Sequence, residues 1–139
     1  MNEQLRLAER LVKSQDVAFI GSVDADGFPE MKAMLAPRVR EGLRTFYFTT
    51  NTSSRRVAHY RRDPKGCLYF CDSNRFQGVM LRGKMEVLTD AASKELIWRE
   101  GDTEYYALGV SDPDYCVLRF TADRGRYYEA FHSEDFKIE

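Results

Sequence analysis

The stretch from Thr45 to Pro64 leaves this chain few choices. Thr45-Phe46-Tyr47-Phe48-Thr49-Thr50 is aromatic and β-prone and reads as a buried strand. Asn51-Thr52-Ser53-Ser54 carries hydroxyls and one amide and no apolar side chain. A helix then fits: Ser53 or Ser54 can cap it, Val57 and Tyr60 share a face, and Asp63-Pro64 stops it. A strand therefore passes through a polar turn straight into a helix N-terminus. Such an end offers free N–H groups and partial positive charge to an anion such as a phosphate. Thr49, Thr50 and Ser54 can donate hydroxyl bonds, and Arg55 and Arg56 can grip phosphate oxygens in bidentate fashion. The turn is no Walker loop, since it has no glycine and no Gly-Lys pair. Residue types alone leave two readings open: an anion site, or a capped helix with a solvated basic face.

The rest of the chain supplies short strands around this hand-over. Residues 2–14 are predicted as an amphipathic helix, with Leu5, Ala8, Leu11 and Val12 on one stripe. Residues 17–23 form a strand, Asp24-Ala25-Asp26-Gly27 a hairpin turn, and residues 29–38 the antiparallel partner. Residues 40–43 turn the chain into the strand at 45–50. Residues 66–72 and 78–88 read as two more strands, and Gly83 within the second marks a bulge or barrel bend. Thr89-Asp90 opens a helix from Ala91 to about Glu100, with Leu96 and Ile97 expected inside. Residues 102–114 are loop or broken helix, ending in the turn chemistry of Ser111-Asp112-Pro113-Asp114. Residues 115–121 and 125–131 close the fold as a hairpin around Ala122-Asp123-Arg124. This pattern predicts a mainly β, closed or nearly closed antiparallel barrel with peripheral helices. At 139 residues, with no repeat or linker, the chain reads as one domain over 1–139.

Charge excludes some functions. A net charge of -1 argues against a protein held on nucleic acid by bulk electrostatics. Apolar runs are too short to span a membrane, and the N-terminus lacks a signal-peptide pattern, so a cytoplasmic location is expected. The three cysteines are odd in number and predict free thiols. Cys67 and Cys71 share a strand face, but no Cys/His set accompanies them, so no metal site is read. His59 falls on the short helix with an exposed polar face as its default, and His132 on a loop. Tyr105-Tyr106 suit packing or an interface, with a ligand pocket as the other option. No nucleophile elbow or Ser/His/Asp order is visible, and the catalytic residues stay unknown.

Gly27-Phe28-Pro29, a strand carrying Lys32, Phe48-Thr49-Thr50, Ser54-Arg55-Arg56 and Asp63-Pro64 together resemble the pyridoxamine 5'-phosphate oxidase superfamily. Asp112-Pro113-Asp114 before the last hairpin resembles its short general-stress-protein branch. The resemblance spans roughly Ala8 to Phe131. It implies a six- to seven-stranded split β-barrel that binds FMN at a homodimer interface. It places Thr49, Thr50, Arg55 and Arg56 on the FMN phosphate, with Ser54 capping the helix behind them. Lys32 falls where the family often has an arginine near that phosphate, Met34 and Leu35 beneath the isoalloxazine ring, and Gln77, or Gly78 by an ungapped count, near a flavin-contacting glutamine. The chain departs from the family in having Arg56 for a lysine, Pro37 for a lysine, and Tyr128 for a tryptophan. It also lacks the basic C-terminal substrate motif, so a genuine pyridoxamine 5'-phosphate oxidase is not expected. The resemblance implies an FMN-dependent oxidoreductase working with NAD(P)H or oxygen on an unknown substrate. A non-catalytic flavin-binding or stress-response module, or a haem-handling relative, is the alternative.

Overall fold

The computed structural model describes residues 2–139. Helix α1 (Glu3–Ser14) starts at Asn2, whose side chain accepts the Leu5 N–H at 2.8 Å. Its buried stripe of Ala8, Leu11 and Val12 seals one side of the barrel. Strands β1 (Val17–Val23), β2 (Pro29–Leu35), β3 (Val39–Glu41) and β4 (Thr45–Asn51) follow, then α2 (Arg55–Arg62), β5 (Lys65–Asp72) and β6 (Gln77–Leu88). Helix α3 (Ala91–Ile97), a short 3-10 turn (Asp102–Glu104), β7 (Tyr115–Glu129) and β8 (His132–Lys137) complete the order. No helix among the described residues is long and apolar enough to cross a membrane.

The sheet has eight antiparallel strands in the order β2-β1-β5-β6-β7-β4-β3, with β8 added on β7. Strands β2 and β3 end the path unpaired with each other, so the barrel is split there. The count is eight where six to seven are expected: the short β3 and the terminal β8 are added, and two of the predicted strands merge into β7.

The long strands β6 and β7 hold the two halves together. The N-terminal half of β7 pairs with β4 and its C-terminal half with β8, while β6 runs beside both halves. Their register shifts between Arg82 and Gly83, where the sheet bends. A β-carbon at Gly83 would run into the Thr121 carbonyl, so only glycine fits this bend. Phe46, Phe48, Phe70 and Phe120 are fully buried with Leu68, Leu81 and Leu118, so aromatics fill the interior.

Three expectations need correction. The closing hairpin does not turn at Ala122-Asp123-Arg124: β7 runs through that segment as one 15-residue strand. The turn falls at Ala130-Phe131, both at positive φ (50° and 63°), between Glu129 and its partner His132. Leu96 is exposed rather than buried, because α3 ends at Ile97 and lays only one short face on β7. His59 is buried, as described below.

Phe131 is 95% exposed, so its left-handed backbone is offset by no packing of its own. Phe131→Gly should therefore stabilise the protein by about 0.5–1 kcal/mol, the left-handed penalty less the entropy of glycine. A urea midpoint that falls instead would show that the phenyl ring is held by contacts.

Candidate functional site

Strand β4 alternates, sending Phe46, Phe48 and Thr50 inward and leaving Thr49 on the other face. At its end the chain turns through 51–54, and Ser54 caps α2 by accepting the Val57 N–H at 3.4 Å. Val57 and Tyr60 are buried as their shared face predicts, and Tyr60 donates to the Gly21 carbonyl at 2.8 Å. The helix is thus pinned to β1, with its N-terminus at the split edge of the barrel.

At that edge a cleft of about 340 Å³ gathers Lys32, Met34 and Leu35 of β2, Thr49 and Thr50 of β4, and Arg56 of α2. Arg38, Asn51, Tyr105 and Tyr106 complete its polar and aromatic lining. These residues lie far apart in sequence, and six of the nine expected cofactor contacts are among them. The other three lie elsewhere. Ser54 stands behind the cleft as the cap. Arg55 is exposed and donates to the Glu30 carboxylate at 2.6 Å. Gln77 sits at the far hairpin, where its amide donates to Glu129 at 2.7 Å beside Tyr69, Cys71, Phe76 and Tyr128.

The cleft is electropositive. Among the described residues, no Asp or Glu lines it. The charge of Arg38 is spent on Asp102, through two bonds of 2.8 Å each. Lys32 and Arg56 remain. Nε of Arg56 is a buried donor with no hydrogen-bond partner among the described residues. A buried unsatisfied donor costs about 1–3 kcal/mol, so an acceptor is called for here.

One wall comes from the excursion between α3 and β7. Trp98, Tyr106 and Tyr115 pack together, with Tyr106 and Tyr115 ring centres 4.8 Å apart. Burial pushes the Tyr106 phenol up and the Tyr115 phenol up to about 12, so both stay protonated donors at neutral pH. Of the pair Tyr105-Tyr106, the second packs and the first is exposed at the cleft rim.

His59 is buried, and its Nδ1 lies 2.8 Å from the Ser22 hydroxyl on β1. It ties α2 to the sheet and does not line the cleft. His132 is exposed on β8, 3.2 Å from Glu134. The three cysteines are free thiols, as expected. Sequence reasoning misses Asn51 and Arg38 as lining residues. Asn51 is one more polar residue of a turn, and Arg38 meets its partner Asp102 only through the fold.

The fold has counterparts. The structure of a protein related to general stress protein 26 of Bacillus subtilis, from Clostridium acetobutylicum, superposes with a TM-score of 0.89 at 42% identity, covering 99% of this chain and 97% of that one. General stress protein 26 of Bacillus anthracis gives 0.77 at 16% identity, over 96% and 98%. A haem-binding protein of Mycobacterium smegmatis gives 0.77 at 14% identity, covering 99% of this chain and 59% of that one, and this likeness is of fold alone. No curated protein matches the chain. Residues 6–129 match the family of pyridoxamine 5'-phosphate oxidase. With nearly the whole chain matched and the split barrel in place, the protein belongs to the pyridoxamine 5'-phosphate oxidase family, in its general stress protein branch.

Proposed function

We propose that the chain is an FMN-binding flavoprotein, with FMN-dependent oxidoreductase activity, acting as a homodimer. The observation that carries the reading is the carboxylate-free cleft in which Arg56, with its unpartnered buried Nε, joins Lys32, Thr49 and Thr50 at the start of α2. That donor set suits a phosphate dianion: a helix N-terminus, two hydroxyls, a guanidinium and an ammonium. Met34, on the same face of β2 as Lys32, gives apolar surface to a ring system. Bound there, FMN would supply transfer of hydride or electrons between a donor such as NAD(P)H and an acceptor. The chain's own residues bind and orient it, while Tyr105 and Tyr106 exclude water from one side.

The homodimer reading rests on the outer face of the sheet. Leu35 lies opposite Val17, Ala33 opposite Phe19, and Met31 opposite Gly21, and Phe19 in turn neighbours Tyr69. Met31, Leu35, Val17 and Phe19 are all exposed, forming an apolar stripe turned away from the core. A second copy would cover it. The cleft volume lies at the small end of ligand sites, which fits a pocket completed by two chains. Gln77 would then reach flavin from the other copy. The haem alternative has less support, since neither histidine lines the cleft.

Titration with FMN and riboflavin, followed by flavin fluorescence, tests the reading. Arg56→Ala should weaken FMN about 10- to 150-fold, the loss of one charged hydrogen-bonding group at about 1.5–3 kcal/mol, and leave riboflavin nearly unchanged. Arg55→Ala should do much less, because that side chain is 73% exposed and already paired with Glu30. Equal losses for both ligands on Arg56→Ala would put the phosphate elsewhere. Anaerobic bleaching of the bound flavin by NAD(P)H separates an oxidoreductase from a passive flavin carrier.

A further inference from the structure

We propose that Asp114 is a positioning residue for the anion-binding turn, setting the entry to α2 from behind; this rests on the flavin-phosphate reading above. Asp114 precedes Tyr115, which lies opposite Asn51 in the β4–β7 register. Its Oδ1 accepts the Ser53 N–H at 2.8 Å and its Oδ2 accepts the Asn51 side-chain amide at 2.9 Å. Its carbonyl accepts the Thr52 N–H at 2.8 Å. Three consecutive turn residues are thus held by one residue far along the chain. The Ser54 N–H is spent on the Asn51 carbonyl at 3.0 Å, and the Val57 N–H on the Ser54 hydroxyl. The N–H groups of Arg55 and Arg56, which a helix cannot satisfy itself, are left as the donors for a ligand.

The clamp is itself anchored. The Asp114 N–H donates to Asp112 Oδ1 at 2.9 Å, and Asp112 Oδ2 accepts the Leu108 N–H at 3.1 Å. The Asp112 carbonyl accepts Lys94 Nζ at 3.0 Å. Pro113 holds the backbone between the two acids in a narrow φ range. The wall that carries Tyr105 and Tyr106 and the turn that carries Arg56 therefore belong to one hydrogen-bonded unit. Charge works against this arrangement. A carboxylate on an anion-binding turn opposes the anion by Coulomb repulsion, so a geometric role must outweigh that repulsion if the acid is to help. The bonds from Ser53 and Asn51 also hold the Asp114 carboxyl below its ordinary range, keeping it the acceptor-only group this geometry needs.

The test compares FMN and riboflavin binding by wild type, Asp114→Ala and Asp114→Asn. Wild type should prefer FMN. Asp114→Ala should lower FMN affinity roughly tenfold or more, with riboflavin affinity held, because the turn loses its charged acceptor. Asp114→Asn should recover part of the preference. Its oxygen can still accept from Ser53, and Asn51 can turn over its own amide to meet the new NH₂. A preference that stays or rises in Asp114→Ala overturns the proposal, since removing a mere repulsive charge would do that. Parallel losses of both ligands overturn it too, as the mark of general loosening. If Asp114→Ala does not fold, Asp114→Ser decides, since its shorter side chain cannot reach both Ser53 and Asn51, and an unchanged or raised preference there overturns the clamp. Equal affinity of wild type for the two flavins fails the phosphate reading itself, and the clamp with it.

Discussion

Arg38→Met is expected to lower the stability of the protein by about 3–5 kcal/mol and to abolish flavin binding along with it. The pair it breaks is nearly dry: the Arg38 and Asp102 side chains are 11% and 5% exposed. The guanidinium meets both carboxylate oxygens and also donates to the Ile97 carbonyl at 3.0 Å. Asp102 Oδ2 accepts the Arg99 N–H at 2.8 Å, and Arg99 donates back to the Arg38 carbonyl at 3.0 Å. Removing Arg38 leaves a buried carboxylate with one backbone donor, and the wall of the cleft swings free of β3. The double variant Arg38→Met with Asp102→Leu should regain most of the stability, since an apolar pair of similar volume needs no desolvation. Urea unfolding measures both. The effect should also depend on pH with a definite sign. The Arg38 hydrogen bonds hold Asp102 below its ordinary value of 3.8. Its stabilisation is thus complete above that value and is lost as pH falls through the depressed folded value. The gap between wild type and Arg38→Met should therefore narrow on acidification below about 3.8. A gap that stays constant down to strong acid would mean the pair contributes little and the loss is one of packing.

What can be read from the chain, and what cannot, follows from the range of the forces involved. The hand-over from β4 to α2 is legible because aromatic alternation, the Ser54 cap and Asp63-Pro64 are all local. The bend at Gly83 is legible for the same reason, since a glycine inside a strand marks a bulge or a close backbone approach. The turn at Ala130-Phe131 is not: neither residue is one that a tight turn selects, while Asp123 and Gly125 nearby imitate a turn they do not make. His59 reads as exposed because its partner, Ser22, lies 37 residues away on another element. The Arg38–Asp102 pair spans 64 residues and leaves no local trace. Asp112-Pro113-Asp114 reads as turn chemistry, which it is. That its last acid also builds the anion turn depends on the β4–β7 register, which only the assembled sheet reveals. The family resemblance puts Gln77 near flavin, and within one chain it lies in a different cleft.

That last separation bears on the most consequential expectation. If two copies meet on the apolar stripe as proposed, Phe19→Asp should leave monomers at micromolar concentration and take FMN affinity down with it. Within one chain Phe19 is 37% exposed on the outer face beside Ala33 and Tyr69, so the substitution also gives up apolar burial there. That cost, about 2–3 kcal/mol with the strand-propensity loss, is read separately by urea unfolding. In a two-fold dimer the same change is made on both sides of one interface. Two carboxylates at about 2 kcal/mol or more apiece weaken association on the order of 10³-fold. Sedimentation mass reads the first effect and fluorescence titration the second. Phe19→Leu should leave both near wild type, since it keeps the apolar contact. The two readouts separate the claims. A Phe19→Asp variant of unchanged mass would show that the stripe of Met31, Leu35, Val17 and Phe19 is not where the copies meet. A clean monomer that still binds FMN with wild-type affinity would show that Lys32, Arg56, Thr49 and Thr50 suffice alone, and that Gln77 has no part in the site.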